Sequence, residues 1–156
     1  MVDWLDDEEM QAWRGMVEVV ADVQSSLESE LFEGFGISEG DYGVLVNLSE
    51  APDRRLRMCD LALRLHLSPS GLTRRLDGLV RQGLVTREPS AQDRRVTLAV
   101  LTDAGFATLE AAAPVHVDGV RRHCIGNLSR TQIRQLGAAF DAVRRRRALS
   151  DSAESA

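Results

Sequence analysis

The sequence predicts a mostly α-helical fold carrying one short β-hairpin, on three observations. Apolar residues recur at three- and four-residue spacing along most of the 156-residue chain. One stretch, Leu84 to Leu101, changes to strand-like alternation around a polar tip. Basic residues are concentrated beside that stretch rather than spread evenly. Residues 1–53 hold 14 acidic side chains and one basic, net −13. Residues 54–95 hold ten Arg against four acids, net +6, and residues 96–156 hold eight Arg against six acids, net +2. The overall charge of −5 would argue against a polyanionic partner. Its distribution reverses that argument, because a local basic block is the footprint nucleic-acid binding needs.

The first element is a helix from Asp6 to about Phe32, with Met10, Trp13, Val17, Val20, Gln24, Leu27 and Leu31 on its stripe and acidic residues in its first turn. At 1.5 Å per residue it spans about 40 Å, more than a small domain covers, so part of the stripe is expected against a second chain. Gly34 and Gly36 break it. Ser38 with Asp41 starts the next helix, whose apolar residues are Tyr42, Leu45, Val46 and Leu48. Pro52 ends it, a short extended piece follows near Leu56, and a helix over about 58–66 buries Leu61, Ala62 and Leu65.

The stretch LSPSGLTRRLDGLVRQGLV, residues 67–85, organises the rest. Ser68 stands at an N-cap, Pro69 at the first helical position and Gly83 past the last turn. Leu72, Leu76, Leu79 and Val80 form the buried stripe. Ser70, Gly71, Arg74, Asp77, Gly78 and Arg81 face away, with Thr73 and Arg75 on the flanks. Small and cationic groups at the front of a helix suit a DNA major groove, where Arg reads guanine O6/N7 and the helix N-terminus favours phosphate. With the preceding helix it makes a helix-turn-helix. Strands over Leu84–Glu88 and Arg95–Leu101 follow, with Val96, Leu98 and Val100 on one face. A hairpin there is a wing. Arg94 and Arg95 at its base can reach a minor groove, with Asp93 bracing one of them.

Thr102 caps the next helix, through Phe106, Leu109 and Ala112, which Pro114 is expected to kink before Val117 and Val120. Ser129 and Gln132 cap the last, with Ile133, Leu136, Phe140 and Val143 inward, ending in Arg144–Arg147. The predicted fold is thus a winged helix-turn-helix with a two-stranded wing and flanking N- and C-terminal helices. Its expected segments are 1–37, 38–101, 102–147 and a disordered tail, 148–156, within one structural domain.

The chain resembles the MarR family of winged helix-turn-helix regulators. The resemblance rests on the 67–85 helix, on the wing motif Asp93, Arg95, Leu101, Thr102 and Gly105, and on the helix order from about residue 6 to 147. It implies a homodimer built by the first and last helices, with the 67–85 helix in a major groove of a pseudo-palindromic double-stranded operator. It also implies that Arg95 enters the minor groove, oriented by Asp93, and that a small aromatic or lipophilic ligand releases a repressor. The expected DNA-reading set is Ser68, Ser70, Gly71, Thr73, Arg74, Arg75, Asp93, Arg94 and Arg95, with Arg75 and Arg94 on the phosphates. Trp13, Arg14 and Tyr42 are the candidate ligand residues.

Other chemistries have less support. His116, His123 and Cys124 lie seven and eight residues apart, too far for one ion, so no metal or cofactor is expected. Cys59 opens a helix whose dipole would favour a thiolate, yet it reads as a small filler, and Cys124 as a packed thiol. Arg144–Arg147 suit a helix C-terminus as solvated charges. No phosphate loop, nucleophile elbow, H-E-x-x-H or C-x-x-C occurs, which excludes the common enzyme classes. Neither a membrane-length apolar run nor a secretory leader is seen, and the unpaired cysteines fit a cytoplasmic location. The alternative is a winged-helix dimer for protein contact or small-molecule binding without DNA, for which the basic block has no use.

Overall fold

The computed structural model describes the backbone of residues 1–154 and the side chains through Ala148. Helix α1 (Asp7–Phe35) opens on a capping box. The Glu9 N–H donates to Asp6 Oδ1 at 2.8 Å and the Asp6 N–H to Glu9 Oε2 at 3.0 Å. It runs three residues past the expected end, because Gly36 and not Gly34 takes the left-handed conformation (φ 66°) that stops it. Leu27 and Leu31 are buried. In the N-terminal half Trp13, Met16, Val17 and Val20 stay exposed.

Helix α2 (Glu39–Ser49) starts on the Ser38–Asp41 capping box and buries Tyr42, Val44, Leu45 and Leu48. After a 3₁₀ turn, β1 (Arg55–Arg57) leads into α3 (Met58–Arg64). His66, in the left-handed region (φ 53°), makes the tight turn into α4 (Pro69–Arg81), where the Gly71 N–H donates to Ser68 Oγ at 3.1 Å. Leu72, Leu76 and Leu79 are buried as expected. Val80 is exposed, since at 100° per residue it lies about 80° round the helix from Leu72, at the edge of the stripe.

Strands β2 (Val85–Pro89) and β3 (Thr97–Leu101) form the wing, but the sheet has three strands, in the order β1-β3-β2, and not two. Arg55, Leu56 and Arg57 pair antiparallel with Val100, Ala99 and Leu98. Three residues are too few for alternation to announce a strand, and β1 covers what would be the free edge of β3. The inward face of β3 is Ala99 and Leu101; Leu98 and Val100 share the other face, as expected, and are half-buried there.

Helix α5 (Asp103–His123) continues through Pro114. Thr102 Oγ1 accepts from the Gly105 N–H at 2.9 Å, and its hydroxyl lies 2.8 Å from the Gly83 carbonyl and 3.0 Å from that of Leu84. One residue thereby caps α5 and fastens it to the end of the helix-turn-helix. The chain divides into two compact units, residues 1–119 and 120 onward. Leu31, Ile37, Tyr42, Leu61, Leu76, Ala99 and Leu109 belong to one core in the first unit, so the segments 1–37 and 38–101 share it with α5.

In the second unit the last turn of α5 is followed by a 3₁₀ turn, Ile125–Asn127, and by α6 (Arg130–Glu154). Ser129 and Gln132 cap it reciprocally. Leu136, Phe140 and Val143, expected inward, are exposed in the single chain. The helix does not end at Arg147. It continues to Glu154 through the stretch expected to be disordered, which holds no Gly or Pro to break it; Ser155 and Ala156 lie outside the described residues. Among the described residues no helix is long and apolar enough to cross a membrane.

Candidate nucleic-acid interface

The exposed side of α4 is built by its own caps. Ser68 Oγ accepts the Gly71 N–H and lies 3.2 Å from Ser70 Oγ. Thr73 Oγ1 donates to the Pro69 carbonyl at 2.9 Å, which leaves only its acceptor capacity for a base or water. Arg74 is exposed and has no hydrogen-bond or ion-pair partner among the described residues. Gly71 lies under Ser68 Oγ in the first turn.

Arg75 is placed differently from expectation. Its guanidinium is directed into the chain: Nη1 donates to Ser38 Oγ at 3.2 Å and lies 3.6 Å from Asp41 Oδ1. It is therefore not a free phosphate contact. The partner lies 37 residues away at the start of α2, and no local pattern in the sequence could place it there.

The wing is braced at both ends. Asp93 Oδ1 accepts from the backbone N–H of Arg95 at 3.0 Å and from its Nε at 3.3 Å, while the Arg95 side chain remains 91% exposed. This is the brace expected of the pair. Arg94 is exposed and without a partner among the described residues. Arg87, a residue the sequence did not single out, ties the wing to α4. Its Nη1 donates to Asp77 Oδ1 at 2.7 Å and its Nη2 to the Thr73 carbonyl at 2.9 Å. The only sequence signal for it was an Arg at a strand position following an Asp on the exposed side of α4.

Two open grooves flank α4. One, of about 570 Å³, runs along Ser68, Ser70, Arg74 and Gly78 towards Asp41 of α2. The other, of about 550 Å³, is lined by Thr73, Arg87, Arg95, Met58 and Cys59, so it joins α4, the wing and the start of α3. The helix stands as a ridge between them.

The candidate ligand residues are not brought together. Tyr42 is a core residue whose ring stacks on His116, centroids 4.3 Å apart and planes 20° apart. Trp13 and Arg14 are exposed on α1, about 27 Å along its axis from Leu31, which packs in the same core as Tyr42. The stack also engages His116, one of the three residues weighed as metal ligands.

Known proteins resemble the chain in sequence and in fold. A model of the MarR family matches residues 35–96. Over 85 residues the chain is 40% identical to the HTH-type transcriptional repressor YetL of Bacillus subtilis, a match covering 54% of this chain and 51% of that protein. The chain spans about half the length of the curated relatives it matches. Two solved structures from Streptomyces coelicolor match almost throughout. AbsC, a MarR family transcriptional regulator, is 38% identical with a TM-score of 0.86, covering 93% of this chain and 97% of AbsC. Sco3205, a MarR family transcriptional regulator solved in complex with DNA, is 35% identical with a TM-score of 0.87, covering 92% of this chain and 90% of Sco3205. In sequence and in fold, over nearly its whole length, the chain belongs to the MarR family of transcriptional regulators, which are not enzymes.

Proposed function

We propose that the chain binds double-stranded DNA sequence-specifically as a homodimer on an inverted repeat, and represses transcription until a small aromatic or lipophilic ligand releases it. One observation carries the DNA reading: α4 offers an unpartnered Arg74 to the groove on one side, and the groove on its other side, lined by Thr73, reaches a wing Arg95 that is braced at its base and exposed at its tip. Arg74 would read a guanine edge in the major groove and Arg95 would enter the flanking minor groove. Ser70, Arg94 and the α4 N-terminus would hold phosphates, and Ser68 and Thr73 would accept from base amino groups. Sco3205, crystallised with DNA, and YetL, a repressor, support the reading by likeness.

The dimer is supported by two apolar rows that a single chain leaves in water, Trp13, Val17 and Val20 on α1 and Leu136, Phe140 and Val143 on α6. A two-fold pair reads half-sites about one turn, roughly 10 bp, apart. Release by a ligand rests on the family resemblance alone, and Trp13, Arg14 and Tyr42 of one chain do not form its site. The test is selection from a pool of random duplexes at two salt concentrations. Enrichment of one inverted repeat, with affinity falling steeply as salt rises, is the expected result. No enrichment at either salt would overturn the assignment.

A further inference from the structure

The Arg75 guanidinium occupies the space beside Gly40 where a side chain would begin, while it bonds to Ser38 and approaches Asp41. A Cβ built on Gly40 would overlap Nη1, Cζ and Nη2 of Arg75. The same three residues form the start of α2: Ser38 and Asp41 are its capping box, and the Glu39 N–H donates to Glu28 of α1. We propose that Arg75 is a positioning residue for DNA readout, a clamp that fixes the rotation of α4 about its own axis by seating its guanidinium in the α2 cap.

The geometry gives the clamp a purpose. Arg74 and Arg75 are adjacent, so they project about 100° apart round α4. With Arg75 held against α2, Arg74 is held outward. Side-chain tips stand about 5–6 Å from a helix axis, so a 10° rotation of α4 moves the Arg74 tip by about 1 Å. A recognition site tolerates only about 0.5 Å. The buried stripe of Leu72, Leu76 and Leu79 holds the inner face of α4 by close packing. A charge-assisted hydrogen bond from the flank to a fixed cap adds a directional restraint on the rotation of the outer face. The clamp has a second effect: Asp41 lines the groove beside α4 where phosphates would approach, and Arg75 holds a positive charge against it.

This inference rests on the DNA-binding reading above, and the test keeps the two apart. Three variants, Arg75→Gln, Asp41→Asn and Gly40→Ala, are titrated against the selected inverted repeat and against a random duplex of equal length. Gly40→Ala is decisive, because it keeps every charge and every hydrogen-bonding group while displacing the guanidinium. A clamp predicts that all three lower the ratio of specific to random affinity by about tenfold. It also predicts an unchanged affinity of Gly40→Ala for the random duplex, with thermal unfolding at or above wild type. If Arg75 instead served DNA as a phosphate contact, Gly40→Ala and Asp41→Asn would release it and tighten both duplexes equally. Only Arg75→Gln would then weaken them, and the ratio would hold in all three; that outcome overturns the clamp. Failure of the wild type to discriminate between the duplexes would instead overturn the DNA reading itself.

Discussion

Replacing Gly105 by Ala sets two effects of opposite sign against each other. Ala is the better helix former, worth at most about 1 kcal/mol, and less in the first turn of α5 where Gly105 lies. Against this, a Cβ at Gly105 would overlap the Leu84 carbonyl oxygen and stand 2.7 Å from Leu101 Cδ1. The Leu84 carbonyl is not free to retreat. It accepts from the Thr102 N–H at 3.1 Å and lies 3.0 Å from Thr102 Oγ1, and Leu84 and Leu101 are both in the core. Overpacking of this kind costs about 1–3 kcal/mol, and loosening the Thr102 bonds about 1 kcal/mol more. The net is a loss of about 1–3 kcal/mol, or roughly 3–10 °C in Tm for a chain of this size. Gly78→Ala is the control, since nothing lies within 4 Å of its would-be Cβ; it should gain about 0.5–1 kcal/mol. Thermal unfolding by circular dichroism, at one fixed protein concentration because subunit association adds to stability, measures both. A Gly105→Ala protein that melts with or above wild type would refute the close-packed junction.

Arg95→Ala should leave Tm unchanged, because the side chain is almost wholly exposed, and should weaken binding most on sites with narrow A·T-rich flanks, as competition titration will show. Arg87→Met should cost only about 0.5–1 kcal/mol, since its Asp77 pair is partly solvated. It should nevertheless raise hydrogen exchange in β2, which loses its tie to α4; unchanged exchange would count against the brace. Burial pushes the Tyr42 phenol above its ordinary value of 10.0. The unfolded chain then loses that proton first, so this contribution to stability is complete below about pH 10 and declines as pH rises through the folded value. Tyr42→Phe should remove that alkaline decline in urea unfolding above about pH 10.

Local signals predicted well whatever depends on neighbours in sequence. The caps at Ser38, Ser68, Thr102 and Ser129, the Leu72–Leu76–Leu79 stripe and the Asp93–Arg95 brace all span eight residues or fewer, and each was readable from spacing. What escaped spans long stretches of chain. The extended piece at Leu56 is legible but its pairing with Ala99 as a third strand is not, Arg75 turns inward because Ser38 and Asp41 await it, and Tyr42 stacks in the core on His116. In each case a residue of the right type for a surface role is claimed by a distant partner. The row on α6 reads as inward because spacing records only that a face is apolar, and says nothing of which chain will cover it; on α1 it is the length of the helix, about 40 Å, that points to a second chain.

The strand order β1-β3-β2 has a consequence for the protein's synthesis. The central strand is the last of the three to leave the ribosome, so neither β1 nor β2 has its partner until Leu101 has emerged. At about 5–20 residues per second, the stretch from Arg57 to Leu101 takes about 2–9 s to translate. Throughout that interval α3 and α4 can form as helices, but the sheet that completes their shelter is missing, and the leucines of α4 are open to chaperones and to neighbouring nascent chains. The sheet therefore closes late and all at once, when β3 slots between two waiting edges.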